Sequence, residues 1–515
     1  MYCTGLGDCF LLGFRGEKGK KGETSYVLID CGVWKGTSGA SRWMQQIMQH
    51  ICDEVGDHGL ELLVATHPHW DHLSGFGQAR QLFEDLRVQQ VWLPWTEDPG
   101  DRTAMRMAEE RRVALRAAVE SARRLRADLE RDGGDGGASP SLAAVESLEA
   151  VLAFAGYSPP GDAHANEADA DLNSLGFAAA EMLGAGPSTD DLMDLVRCKV
   201  AKPSYIRPSL QPLRFSHLPN LRIYALGPPL DPKYLRRDDP SAARGKSEVY
   251  LAGKPFNEDA ALLAALSPAV RLDARELTYP FDRWQRFSRE QVLDDPELRE
   301  FFSTRYLSNP KLDWRRIDTD WLEAANQLAL DLDDHVNNAS LVLAFELGKD
   351  GPVLLFPGDA QVGSWLSWHE LEPCGGLSAE SLLNRTVLYK VGHHASHNAT
   401  LKDKGLKMMT ETSRLVAMIP VDQQEAGKPK GKNRDGWAMP YAKLLDDLKV
   451  RTEGRVLRAD TGLTRPAGDE IPGWNEDKRK RERWKRFERE TRIEQVKADD
   501  DAATRTLFIE YTVRP

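Results

Sequence analysis

Short apolar runs recur along the whole chain, and most of them are rich in β-branched residues and bounded by polar or turn-forming residues. Runs of this length and composition predict buried strands. The predicted strands are 26–30, 62–66, 88–93, 221–226, 340–345, 353–356, 387–391, 415–419 and 506–513. Because segments of helical or irregular pattern separate them, we predict an α/β layered fold rather than an all-β sandwich.

Two long segments between the early and the late strands differ in composition from the rest. Residues 108–131 combine helix formers with interleaved charges and are followed by the glycine-rich sequence DGGDGG, which predicts a surface helix and a loop tip. The sequence RGEKGKK at 15–21 predicts the tip of a hairpin between two N-terminal strands. We therefore predict one domain over 1–515, with a helical insertion at 97–215 and a second insertion of helices and loops at 230–332.

The composition is that of an ordinary globular protein, with 41% hydrophobic and 29% charged residues. The formal net charge of −11 favours repulsion of nucleic acid, unless basic residues are clustered locally. No run approaches the roughly 18 apolar residues that span a bilayer, and the first residues do not resemble a secretory signal. We expect a cytoplasmic protein with no membrane partner and with six reduced cysteines, since no CxxC pair occurs.

The densest basic cluster lies near the C-terminus, at 478–492, where KRKRERWKRFERETR has nine basic and three acidic residues. Trp484 and Phe487 are three residues apart and give this segment one apolar strip. One interpretation is a solvated helix whose apolar strip covers the core. The other is a surface that faces nucleic acid or phosphate. Either way, we predict a basic helical segment at about 470–500, before the last strand.

The string LLVATHPHWDHLSG, at 62–75, places His67, His69, Asp71 and His72 within six residues after an apolar strand. Imidazole and carboxylate groups are ligands that suit Zn²⁺ and neighbouring divalent metals. Alternate residues of an extended loop project to the same side, so His67 and His69 can converge on one ion. Asp71 and His72 can turn toward a second ion. Four such side chains so close together predict a metal site.

This string resembles the HxHxDH signature of the metallo-β-lactamase superfamily, and further matches follow in the order typical of that family. They are Asp30 in YVLIDCG, Asp359 in VLLFPGDA, and His393 and His394 in LYKVGHHASHNAT. The resemblance implies a four-layer αββα fold, in which helices flank two sheets. It also implies two divalent metal ions, Zn or Mn.

The metal ligands that this resemblance implies are His67, His69, Asp71, His72, Asp359 and His393. Asp359 would bridge the two ions. His394 and Asp8 are further candidates for a ligand or for a support of the ligands, and Asp30 would most simply be a support.

Within the superfamily, the chain most resembles the hydrolase domain of the DNA-uptake protein ComEC and its soluble relatives. The matching segments are GLGDC, which contains Asp8, the strand NNASLVLAF, and the run from Lys390 to Ser396. Ala395 stands where that group has a glycine. The resemblance covers about half of the chain, and neither insertion is part of it.

The third histidine of the first metal site, found in many two-metal members, is missing here. The sequence offers DDHVNNAS at that place, and asparagine is the usual occupant in the ComEC-like group. Either the site formed by His67 and His69 is weak and exchangeable, or another residue completes it. The candidates for that role are His335, Asn337 and Asn338.

The resemblance implies a hydrolase in which a hydroxide between the two ions attacks the substrate, because metal binding lowers the pKa of water from 15.7 to about 7. Asp71, Asp359 and Lys390 are the predicted catalytic residues. Asp71 would orient the hydroxide, and Lys390 would neutralise a phosphate unless it is a surface lysine. Ser340 and Ser396 are predicted to hydrogen-bond the substrate or the ligands.

Three hypotheses for function follow. The first is a metal-dependent phosphodiesterase, most simply a nuclease acting on DNA or RNA, as the ComEC-like resemblance implies. The second is hydrolysis of a small ester, lactone or phosphocholine-like substrate, because one fold hosts many chemistries. The third is a metal-binding subunit that works with partner proteins in a bacterial defence system.

Overall fold

The structure is a computed structural model. It describes residues 1–15, 24–131, 140–158, 188–235, 292, 294–307, 329–428, 436–467, 470–497 and 504–514. Within these residues the protein is a mixed α/β structure, as the sequence pattern predicts. Most of the predicted hairpin tip at 15–21 and most of the second insertion at 230–332 lie outside the described residues.

The first sheet has, among these residues, five strands in the order β1-β2-β3-β4-β5. They are β1 (Cys9–Arg15), β2 (Thr24–Cys31), β3 (Leu60–Val64), β4 (Val88–Pro94) and β5 (Ser204–Ile206). β1 pairs with β2 antiparallel, and the strands from β2 to β5 are parallel.

The second sheet has the described strand order β13-β12-β11-β10-β9-β8-β7-β6. These strands are β6 (Ser209–Leu213), β7 (Leu221–Gly227), β8 (Val342–Leu347), β9 (Val353–Phe356), β10 (Thr386–Lys390), β11 (Val416–Ile419), β12 (Val456–Arg458) and β13 (Gly462–Leu463). The run from β9 to β12 is parallel. A separate antiparallel pair consists of β14 (Thr491–Lys497) and β15 (Thr504–Tyr511).

Every predicted strand is present, with ends that differ by no more than two residues. Two strands, β5 and β6, lie within the helical insertion predicted at 97–215, and they pair with β4 and β7 in the two sheets. β5 has only three residues and β6 contains Pro212, so neither has a clear alternating pattern. Within the basic helical segment predicted at 470–500, the helix covers only Lys478–Glu490, and β14 follows it at once.

Helices connect the strands. Their bounds are Ala40–Val55, Trp70–Gln78, Arg80–Asp85, Arg102–Arg131, Pro140–Leu152, Thr189–Arg197, Pro232–Leu235, Pro296–Phe302, Val362–Trp368, Ala379–Asn384, Gln423–Ala426, Ala442–Arg451 and Lys478–Glu490. Residues 329–338 are also helical. In the part of the chain that the structure describes, no helix combines the length and the apolar character that crossing a membrane requires.

Apolar side chains form three large clusters, and each sheet takes part in two of them. One cluster joins the facing sides of the two sheets, where the rings of Phe10 and Phe356 lie 5.5 Å apart. A second cluster joins the first sheet to helices that include Ala40–Val55. A third joins the second sheet to helices that include Val362–Trp368. Because both sheets are covered on both faces, their strands are fixed and can hold functional loops at their ends.

The basic helix Lys478–Glu490 is attached to the core by its apolar strip. Trp484 and Phe487 are buried within the cluster between the sheets. Arg483 forms an ion pair with Glu453 at 2.7 Å. These contacts favour the interpretation of a helix that covers the core.

A buried carboxylate on the second sheet predicts how stability depends on pH. Glu346 on β8 accepts hydrogen bonds from Arg385 Nη1 at 2.6 Å, Tyr224 Oη at 3.0 Å and Arg222 Nη1 at 3.2 Å. Burial alone would raise the pKa of Glu346, but the bonds from Arg385 and Tyr224 outweigh it and lower the pKa below the ordinary 4.5.

A carboxylate with a lowered pKa stabilises the fold above the pKa of the unfolded chain, and this contribution is lost as the pH falls through the lower, folded value. We therefore expect the free energy of unfolding of the wild type to decrease more steeply below about pH 4.5 than that of Glu346→Gln. Urea unfolding at a series of pH values measures this. Equal slopes for the two proteins in the acid range would contradict the assignment.

Candidate metal centre

The candidate site lies where the carboxyl ends of strands from both sheets meet. The HxHxDH motif follows β3, which runs parallel to β2. Asp359 follows β9 and His394 follows β10, and these two strands are also parallel. Parallel strands end at the same edge of a sheet, so residues that are far apart in sequence come together there.

A close main-chain contact fixes the position of the motif. Gly32, just after β2, packs against the backbone of Asp71, and a Cβ at Gly32 would lie 2.3 Å from the Asp71 carbonyl carbon. The backbone N–H of Asp8 donates to the Asp71 carbonyl oxygen at 3.0 Å. Because only glycine permits this approach, Gly32 at the end of β2 lets the start of the helix Trp70–Gln78 pack directly against the strand.

Four buried side chains converge at this edge: Asp71, His72, Asp359 and His394. One potential ligand atom from each lies within 4.8 Å of those of the others. His72 Nε2 is 3.2 Å from Asp359 Oδ2 and 3.7 Å from Asp71 Oδ2. His394 Nε2 is 2.9 Å from Asp71 Oδ2. Two imidazoles and two carboxylates form a donor set that suits Zn²⁺ or Mn²⁺.

Hydrogen bonds behind the two imidazoles determine which nitrogen faces the other ligands. His72 Nδ1 is 2.8 Å from Asp30 Oδ2, and His394 Nδ1 is 2.6 Å from the Pro420 carbonyl oxygen. Both of these oxygens are acceptors, so each Nδ1 carries a proton, and in the neutral ring each Nε2 has a lone pair. The lone pairs face the carboxylates of Asp71 and Asp359, and a cation between them would relieve this contact between acceptors.

Unsatisfied buried atoms at the same place agree with a bound cation. Asp71 Oδ1 and His72 Nε2 are both buried and make no hydrogen bond to the residues that the structure describes. Buried polar atoms without a partner are rare and require a reason. The side chains present therefore fit a metal ion.

A second acidic group, Asp8, Asp30 and His72, also has its ligand atoms within 4.8 Å of one another. It lies on the Nδ1 side of His72, where the oxygens of Asp30 already accept hydrogen bonds from the backbone and the hydroxyl of Thr66, both at 2.7 Å. Asp8 Oδ2 forms an ion pair with Lys390. Its hydrogen bonds therefore favour a supporting role behind the candidate ligand His72 over a separate metal site.

Lys390 contacts the candidate ligand Asp359 and is completely enclosed. Its ammonium group donates to Asp359 Oδ1 at 3.0 Å and to the Gly358 carbonyl oxygen at 2.8 Å, and it also pairs with Asp8. These contacts use the three donors of the ammonium group. Lys390 therefore positions Asp359, whereas the sequence analysis placed it against a substrate phosphate.

The two consecutive histidines have different surroundings. His394 belongs to the converging group, whereas His393 is half-buried and its Nδ1 lies near Ser396 Oγ at 2.9 Å and Gln361 Nε2 at 3.3 Å. From the sequence, His393 is predicted to be a metal ligand and His394 a further candidate. The geometry favours His394 as the ligand instead of His393. The reason is a left-handed backbone, with φ of 45° at His393, 48° at His394 and 61° at Ala395, which turns the second ring inward.

Burial and the neighbouring charges move the pKa values of these groups in opposite directions. Burial would raise the pKa of Asp359, but the charges of Lys390 and His72 outweigh it and hold that pKa well below its usual range. Burial lowers the pKa of His69 to about 3 and lowers that of His67 as well. Burial would lower the pKa of His72 and of His394, but the neighbouring carboxylates, Asp359 and Asp71 among them, outweigh it and raise both. Ionised carboxylates and neutral imidazoles are the forms that bind metal ions, so a metal ion at this place would displace the protons of these two rings.

His67 and His69 form a second pair beside the converging group. His67 Nε2 is 3.1 Å from His69 Nδ1, and the rings of His67 and His72 lie 4.2 Å apart. Of the residues predicted to complete this pair, Asn338 accepts a hydrogen bond from the Ser364 backbone N–H at 3.0 Å. His335 and Asn337 lie on the same helical segment, 329–338.

The two serines predicted to hydrogen-bond substrate or ligands have internal partners. Ser340 Oγ accepts a hydrogen bond from the Asp359 backbone N–H at 3.0 Å and lies 3.2 Å from His67 Nδ1. Ser396 Oγ donates to Asn398 Oδ1 at 2.8 Å. Both serines are buried and support neighbouring histidines.

Two residues near the site were not predicted from the sequence to belong to it. Asp333 Oδ1 lies 3.6 Å from His69 Nε2, and the Gln361 side chain lies next to His393. The one available signal for Asp333 was its position one helical turn before Asn337, to which it is hydrogen-bonded at 3.1 Å.

No protein-family model, curated protein or solved structure matches this chain.

Proposed function

We propose that the protein is a metal-dependent hydrolase of phosphodiesters, with DNA or RNA as its substrate. The observation that carries this proposal is the convergence of Asp71, His72, Asp359 and His394, with the Nδ1 atoms of both histidines bonded to acceptors behind them. This arrangement directs two lone pairs and two carboxylates at one point, as a divalent cation requires.

We also propose that the fold is the four-layer αββα arrangement of the metallo-β-lactamase superfamily. The three apolar clusters support it, because one lies between the two sheets and the other two lie between a sheet and helices. The HxHxDH motif and the later Asp359 and His394 also follow strands in the order that this superfamily shows.

Asp71, His72, Asp359 and His394 would hold one ion, and His67 and His69 would bind a second. Divalent ions held in this way lower the pKa of water and stabilise negative charge on a phosphate. The proposed substrate class rests on the ComEC-like sequence segments. Clusters of positive charge and bound cations let a protein with a net charge of −11 bind a polyanion.

The side chains of the chain itself have separate roles in this proposal. Asp71 Oδ1, which makes no hydrogen bond to the residues described, would accept the proton of the attacking water. Lys390 and Asp8 hold Asp359 in place. His393 is half-buried beside His394 and is the imidazole best placed to contact a substrate.

The proposal is tested with single-stranded DNA, duplex DNA, plasmid DNA, RNA and a chromogenic phosphodiester, each with Mn²⁺ or Zn²⁺ and with a chelator. We expect phosphodiester cleavage that depends on added metal and stops with the chelator. If the protein hydrolysed a chromogenic ester or lactone and cleaved no phosphodiester, the proposal would be wrong, and hydrolysis of a small substrate would be the better hypothesis. Metal binding without any turnover would favour the metal-binding subunit.

A further inference from the structure

The His67–His69 contact places two ring nitrogens face to face. The Thr66 hydroxyl donates to Asp30 at 2.7 Å, and the same oxygen lies 3.0 Å from His67 Nδ1. Because the Thr66 proton is already used, Thr66 Oγ1 accepts a hydrogen bond from His67 Nδ1–H. The neutral His67 ring therefore has its lone pair on Nε2, which points at His69 Nδ1 from 3.1 Å.

The opposite side of the His69 ring faces a carboxylate. His69 Nε2 lies 3.6 Å from Asp333 Oδ1, and both side chains are largely buried, with exposed fractions of 5% and 13%. The other oxygen of Asp333 accepts a hydrogen bond from Asn337 Nδ2 at 3.1 Å, which fixes the orientation of the carboxylate. A carboxylate beside Nε2 favours the tautomer with its proton on Nε2 and its lone pair on Nδ1.

We propose that Asp333 is a positioning residue for the second metal ion, which sets the tautomer and the orientation of His69. The inference rests on the proposed function, because it concerns an ion at the His67–His69 pair. Asp333 acts through His69 and is not itself a ligand, because it faces the nitrogen on the far side of the ring from His67. Carboxylates in this position behind a metal-binding imidazole orient it and increase its basicity.

This role would compensate for the missing third histidine of the first metal site, because Asp333 would strengthen the binding of the ion by His69. Asp333 lies on the helical segment 329–338, whose Asn338 is bonded to the Ser364 backbone and whose Asn337 is bonded to Asp333. Asn337 Oδ1 is buried without a hydrogen-bond partner among the residues described. The segment therefore places the carboxyl group of Asp333 beside His69, and Asn337 holds that group in its orientation.

The test is a calorimetric titration of metal-free protein with Mn²⁺ and, separately, with Zn²⁺. We expect the wild type to bind two ions with different affinities. In Asp333→Ala the weaker ion should bind about 10–100-fold less tightly, while the tighter ion is unchanged. Asp333→Asn, which keeps the volume but removes the charge, should show the same selective loss, and Asp333→Glu should restore part of the affinity.

Asp446→Ala is the matched control, because Asp446 is exposed on the helix Ala442–Arg451, and it should bind both ions as the wild type does. Thermal unfolding of each variant checks that the fold is intact. The role of Asp333 would be overturned if Asp333→Ala and Asp333→Asn bound both ions with unchanged affinity, or if the wild type bound a single ion. Either result would leave the hydrolase proposal standing. A wild type that binds no ion would overturn both.

Discussion

Asp359→Asn is expected to lower the rate of metal-dependent phosphodiester hydrolysis by about three orders of magnitude. A metal ion stabilises the charge of the transition state by several kcal/mol, and each 1.4 kcal/mol corresponds to roughly a factor of ten in rate. The variant keeps the shape of the side chain and removes its charge. Asp359 is the carboxylate that contacts both His72 and Lys390, so the loss affects the ligand group and its support together. Initial rates at saturating Mn²⁺ or Zn²⁺, with the ion content of the purified protein, measure the effect.

The matched control is Asp350→Asn, since Asp350 is exposed between β8 and β9 and lies on the same part of the chain. It should keep the rate and the ion content of the wild type. An Asp359→Asn protein that hydrolyses the substrate at the wild-type rate would contradict the assignment of Asp359. Circular dichroism of both variants distinguishes a lost site from a lost fold.

His394→Ala is expected to reduce the affinity for the tighter ion by about 100-fold or more, because it removes one of the four proposed ligands. His393→Ala is expected to leave that affinity unchanged. The two residues are adjacent, so each is a control for the other. The reason is geometric: His394 Nε2 lies 2.9 Å from Asp71 Oδ2, while His393 Nδ1 is turned toward Ser396 and Gln361. His393→Ala should lower turnover, because His393 is the proposed substrate contact.

The pair of variants separates two interpretations of the motif. The resemblance of the motif to the metallo-β-lactamase superfamily places the ligand at the first histidine of the pair, and the geometry favours the second. Loss of the ion in His393→Ala with retention in His394→Ala would show that the resemblance was right. Calorimetric titration with Zn²⁺, followed by rate measurements at saturating metal, provides both readings.

Most of the strands could be predicted from sequence because they contain an apolar run that is buried in the structure. Runs such as Val353–Phe356 carry their own signal and need no partner to be recognised. β5 and β13 have three residues and two residues, so their pairing is decided by neighbours that are distant in sequence. β14 is half-exposed and polar, and its strand character comes from its pairing with β15.

The ligands could be predicted in part, because HxHxDH concentrates four donors in one loop. The proposed division between a tighter and a weaker site rests on hydrogen bonds to Asp30, Pro420 and Thr66, which no local pattern reveals. The same holds for Lys390, whose burial against two carboxylates depends on the meeting of the two sheets. Asp333 comes from a segment with no recognisable motif.

We propose that Asp71, His72, Asp359 and His394 together bind one divalent ion. X-ray diffraction from crystals grown with Zn²⁺, recorded on both sides of the zinc absorption edge, tests this binding most directly. We predict an anomalous difference peak about 2.0–2.2 Å from His72 Nε2, His394 Nε2 and a carboxylate oxygen of Asp71 and of Asp359. A map from zinc-containing crystals with no anomalous peak among these four side chains would contradict the claim.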